Sequence, residues 1–126
     1  MASGADANSR TDAAASFEAA LNHLLTVLDQ LSAERRGISR RAARIRRHLQ
    51  AGRSLADIVG QEDQPLIVRT MRDATASLVD AFSRMQRAEA LALHNEGMSM
   101  ERIASLFGIS RQRVAHLLRG PARTGV

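Results

Sequence analysis

Apolar residues in this chain recur every three or four positions. Phe17, Leu21, Leu24, Leu28 and Leu31 step by four, three, four and three, and Ile67, Met71, Ala74, Leu78, Ala81, Met85, Ala88 and Ala92 keep the same rhythm. That spacing draws a line down one side of an α-helix, whereas on a strand it would scatter over both faces. No run alternates apolar with polar residues between turn signals, so the chain reads as all-α. Composition points the same way. Trp and Tyr are absent and Phe occurs three times, a poor supply for a β-sandwich, while Ala, Leu, Arg and Met favour helix.

Residues 1–12 are small and polar, lack the apolar stretch of a signal peptide, and read as a disordered tail. Ala13 to about Arg36 reads as the first helix, with Asp12 or Ser16 as its cap and Gly37 as its stop. Ser39 then caps a helix to about Gln50, with Ile38, Ala42, Ile45 and Leu49 on its apolar side and Gly52 closing it. A short helix capped by Ser54 passes through Leu55, Ile58 and Val59 to Gly60. Asp63 and Pro65 open a long helix to about Asn95, since Pro is tolerated in a first turn. Residues 13–64 therefore form an N-terminal helical region suited to dimerisation. Residues 65–120 carry the long helix and the C-terminal segment that follows it, and 121–126 are a short tail. A lone amphipathic helix is marginal in water, so the stripes must pack on this chain or on a second copy.

The charge is one-sided. All 18 basic residues are Arg, against 13 acids, for a net charge of +5. A small basic protein suits a polyanionic partner. Eight of the Arg lie between Arg35 and Ala56, a stretch without an acid. The absence of Cys removes disulfides, zinc ribbons and thiol nucleophiles. His23, His48, His94 and His116 are never four residues apart, and no acid completes a metal set with them. No glycine-rich loop follows a strand, so a nucleotide fold has no support. The expectation is a protein with no catalytic residue, no metal and no cofactor, and not an enzyme. No stretch reaches the roughly 18 apolar residues of a membrane span. The expected location is the cytoplasm, at the nucleoid.

The most informative segment is Glu96 to Arg119. Gly97 ends the preceding helix, Ser99 caps a helix from Met100 to Phe107, Gly108 supplies a tight turn, and Ser110 caps a last helix from Arg111 to Arg119. Ala104 is small enough for the two helices to cross closely. Ile103, Phe107, Ile109, Val114 and Leu117 are the apolar positions that would face a common core. Arg111, Gln112, Arg113, His116 and Arg119 fall outside that face. The run Ile103-Ala104, Phe107-Gly108-Ile109-Ser110-Arg111-Gln112-Arg113-Val114 resembles the helix-turn-helix DNA-binding superfamily, most closely region 4 of sigma factors and the C-terminal domain of serine resolvases. The resemblance covers residues 96–119.

That resemblance implies double-stranded DNA as partner, with the last helix in the major groove. It assigns Arg111, Gln112 and His116 to base edges, where Arg takes G and Gln takes A by paired hydrogen bonds. Arg113 and Arg119 fall to phosphate, and Ser110 offers a helix-start amide or hydroxyl to another phosphate. Arg40, Arg44 and Arg47 of the basic cluster are expected to add phosphate contacts. The function expected is a homodimeric, sequence-specific transcriptional regulator. The alternatives are a nucleoid-associated protein of low sequence preference, or an adaptor or phosphorylated-ligand sensor that uses the Arg35–Arg53 cluster. The spacing identifies no small-molecule effector.

Overall fold

The computed structural model describes residues 4–62 and 66–120. Five helices and no strand occur among them: α1 (Gly4–Gln50), α2 (Leu55–Gly60), α3 (Ile67–Asn95), α4 (Met100–Phe107) and α5 (Arg111–Arg119). Asp63 and Pro65 lie outside the described residues. The last two helices and the short α2 fall where their caps and stops place them, and α3 ends at Asn95 as expected.

The N-terminal part differs from expectation in two ways. Residues 4–12, expected as tail, are helical, so Asp12 and Ser16 are interior positions rather than caps. The expected break at Gly37 is absent as well, and α1 runs through Gly37 and Ser39 to Gln50. The reason lies in the seam. Ala13, Ala20 and Val27 are buried, and Leu24, Leu31, Ile38 and Ile45 are half-buried, each series spaced by seven. A turn at Gly37 would carry Ile38 and Ile45 off that line, whereas glycine inside a helix costs only about 0.5–1 kcal/mol relative to alanine.

Packing divides the described chain into two units: the described part of Met1–Leu24 with Ala81–Val126, and that of Leu25–Asp80. The division cuts α1 and α3 mid-length and does not fall between residues 64 and 65. A reading along the chain assigns whole helices; side-chain packing assigns halves of them.

In the first unit, the end of α3 shares one core with α4 and α5. Ala90, Ile103 and Val114 are sealed from solvent, with Ala104 and Leu117 almost so. Leu93, Met98, Met100, Phe107, Ile109 and Leu118 pack around them. Ala13, Ala20 and Ala81 are buried in the same unit, and Asn95 Nδ2 donates to the Ser9 carbonyl at 3.5 Å. In the second unit Val27 and Ile58 are buried, but the α3 stripe is only partly covered: Ile67 and Ala74 are half-buried, while Met71 and Leu78 stay exposed beside exposed Leu28.

Three helix junctions use one device. At Gly52, Gly97 and Gly108 the backbone turns left-handed, with φ of 85°, 98° and 68°. The Gly108 amide donates to the Ser105 carbonyl at 3.4 Å and the next amide, of Ile109, to Ala104 at 3.1 Å. Gly97 and Met98 make the same pair of bonds to His94 and Leu93, and Gly52 and Arg53 to Leu49 and His48. These bonds satisfy carbonyls that a helix end leaves open. The following serine restarts the chain: Ser54, Ser99 and Ser110 each accept from the amide three residues on, at 3.1, 3.2 and 3.0 Å.

The two kinds of glycine should respond oppositely to alanine. A Cβ at either Gly108 or Gly37 meets nothing within 4 Å, so only backbone conformation matters. Gly108→Ala forces an L-residue into the left-handed region and should lower stability by about 1–2 kcal/mol. Gly37→Ala should raise it by about 0.5–1 kcal/mol. Urea unfolding of both variants checks the pair; destabilisation by Gly37→Ala would mean that α1 is not continuous there.

Candidate nucleic-acid interface

The α4–turn–α5 unit is positioned by its burial pattern. Val114 and Leu117 hold α5 on the core at 0% and 3% exposure, and Leu118 is half-buried at the edge. With about 3.6 residues per turn, Gln112, His116 and Arg119 then face away from that anchor, and Arg111 and Arg113 flank them on either side. All five side chains are exposed. The helix contains no acid among its nine residues. Its start is fixed by Ser110, whose hydroxyl oxygen accepts from the Arg113 amide, so the first turn presents a defined, positively polarised end. On such a helix, guanidinium and amide groups reach an anion or a base edge without first breaking a buried contact.

Turn and core residues sit together below this face. Ile103 and Ala104 are buried on α4, Phe107 and Ile109 pack half-buried against them, and Gly108 makes the left-handed turn. Ala90 and Leu93 of α3 complete the core from the third side, and the α3–α4 junction adds Met98 and Met100. These four are absent from the apolar set read off the C-terminal motif; Ala90 stands about half a turn around α3 from the Ile67–Ala92 stripe. Arg40, Arg44 and Arg47 belong to α1 in the other unit. Arg44 pairs there with Glu62 at 3.5 Å.

Residues 82–126 match the family model of a homeodomain-like domain. The C-terminal segment is a helix-turn-helix DNA-binding unit. The match opens at Phe82, inside α3, and so takes in the three helices that share the Ala90–Ile103–Val114 core. No curated protein and no solved structure matches the chain. No helix among the described residues is long and apolar enough to cross a membrane.

One feature of the helix-turn-helix unit has no counterpart in the sequence reading. Glu101, in the first turn of α4, takes Arg111 Nε at 2.7 Å across the turn. Ten residues separate the pair, a spacing with no meaning until α4 and α5 cross. Both side chains are about two-thirds exposed, at 65% and 67%, so the pair adds little to stability. Its effect is on availability, because an incoming anion must compete with Glu101 for the guanidinium. Glu101→Gln should leave the melting temperature within about a degree. The same change should tighten binding to duplex DNA several-fold at low salt, less at high salt. Fluorescence anisotropy at two salt concentrations reads the effect; weaker DNA binding by the variant would mean that Glu101 assists Arg111 instead of restraining it.

Proposed function

We propose that this protein is a sequence-specific double-stranded DNA-binding protein, a transcriptional regulator that lays α5 in the major groove and acts as a homodimer at the nucleoid. It is not an enzyme and needs no cofactor for this role. The observation that carries the reading is the acid-free outer face of α5, where exposed Gln112 and His116 stand opposite the buried Val114 and Leu117 and exposed Arg111 flanks them. Arg111 and Gln112 suit G and A edges, and His116 extends the face by one turn. Arg113, Arg119 and the capped start at Ser110 suit phosphate, which fixes register without reading sequence.

Selection of bound fragments from random DNA would yield the preferred site. At that site Gln112→Ala should cost about 1–3 kcal/mol and relax preference at one base pair, with little loss on unrelated DNA. Equal weakening on all sequences would replace base reading with a low-preference, phosphate-driven mode of binding.

The homodimer rests on two supports. A nine-residue helix covers only a few base pairs, and two-fold pairing of such units on two half-sites is their usual way of lengthening the site. Within the second unit, Leu28, Leu31, Ile38, Met71, Ala74 and Leu78 line an apolar groove of about 440 Å³. A second copy is the occupant this reading calls for. Light scattering should give twice the 13.7 kDa chain mass, and Leu78→Glu should return one chain mass with the helical signal retained. A single chain mass for the unaltered protein at micromolar concentration would remove the dimer from the proposal.

A further inference from the structure

The basic stretch of α1 does not lie on an open face. In the second unit the last turns of α1 and the α2 segment enclose a cleft of about 540 Å³, within the range of small-ligand sites. Among the described residues, Arg40, Arg41, Arg44 and Arg53 line it together with His48 and Glu62, four guanidiniums to one carboxylate. Gly37 also lines it, and with no side chain it leaves the wall open.

Three observations give the cleft a ligand chemistry. First, Glu62 sits inside it with only 7% of its side chain exposed, taking Arg41 on one oxygen at 3.0 Å and Arg44 on the other at 3.5 Å. That carboxylate is an internal anion, and it demonstrates that the Arg41–Arg44 pair grips a group with two charged oxygens. Second, Arg53 stands where the two other glycine–serine junctions carry Met98 and Ile109, both packed on the core. Here the side chain turns into the cleft instead. It donates to Gln61 Oε1 at 2.7 Å and lies 3.1 Å from His48 Nδ1. Neither partner is an acid. Third, Arg40 is exposed at the rim, and among the described residues neither it nor Arg53 has an acidic partner.

We propose that this cleft binds a small molecule carrying a diphosphate group. Guanidiniums recognise phosphoryl oxygens in pairs, and the surplus of positive charge matches two adjacent phosphoryl groups better than one. A duplex backbone is the poorer fit. Its phosphates lie on a convex cylinder and meet exposed side chains, whereas Arg41, at 13% exposure, is reached only by a group that enters the cleft. This site is separate from the DNA-reading helix, and its test does not depend on DNA binding.

The probe is pyrophosphate, titrated calorimetrically into the full chain at fixed ionic strength, with sulfate as the comparison. Saturable binding of one pyrophosphate per chain is expected, tighter than sulfate. Arg40→Gln should weaken it about tenfold, the scale of one lost charge-assisted contact. Arg46→Gln removes the same charge from an exposed position on α1 outside the cleft and should leave the affinity within about twofold. Glu62→Gln, which removes the internal competitor, should tighten binding and make the pyrophosphate-induced rise in melting temperature larger than in the unaltered chain. If Glu62→Gln does not fold, the contrast between Arg40→Gln and Arg46→Gln decides alone. Equal weakening by those two variants would reduce the effect to general screening and overturn the site. Sulfate binding as tightly as pyrophosphate would overturn the diphosphate assignment. Displacement of pyrophosphate by a DNA duplex, with Arg40→Gln weakening both equally, would make the cleft a DNA-backbone contact and end the proposal.

Discussion

Every helix end leaves backbone amides or carbonyls without partners, and a chain that is almost all helix must solve that problem at each junction. Here the solution is three residues long and used three times. A left-handed glycine closes the old helix, the next amide reaches back to it, and a serine opens the new one. The geometry of α5 descends from this. Gly108 and Ser110 set where α4 stops and α5 starts, and thereby which α5 residues meet the core and which meet solvent. The middle residue is the variable part. Ile109 and Met98 drop into the core, whereas Arg53 turns into the arginine-lined cleft toward His48 and Gln61.

The limit of sequence reading is visible in a repeated tripeptide. Gly37-Ile38-Ser39 and Gly108-Ile109-Ser110 are identical, yet the first is uninterrupted helix and the second is a turn. Nothing local separates them. At 108 the isoleucine can fold onto a core formed by Ala104, Val114 and Leu117, and the turn is stabilised by that contact. At 37 the isoleucine already lies on a line with Leu31 and Ile45, and a continuous helix keeps it there. Tertiary packing therefore decides what glycine does, and a stop signal without its packing partner is only a permission. The same holds for Asp12 and Ser16, good capping residues that α1 passes through.

The site divides along a similar line. Residues whose exposure depends on helical period alone, such as Gln112 and His116 opposite Val114, are legible because period is a property of sequence. Residues whose role depends on two elements meeting are not. Glu101 is an unremarked carboxylate until α5 crosses α4. The arginine-rich run reads as a strip of like charge until Glu62, on the far side of α2, is seen closing over Arg41 and Arg44. Ala90 illustrates the third case, a core position on the side of α3 away from its apolar stripe, buried because α4 and α5 fold against that side.

The way α5 is held has an evolutionary consequence. Val114 and Leu117 alone are buried on it, while Arg111, Gln112, Arg113, His116 and Arg119 have no core contact to lose. Substitutions at those five positions are nearly neutral for folding, since exposed changes away from caps and packed sites shift stability by less than about 0.5 kcal/mol. The outer face of α5 can therefore change its chemistry through folded intermediates, and duplicated copies of such a chain can diverge on that face while sharing one scaffold.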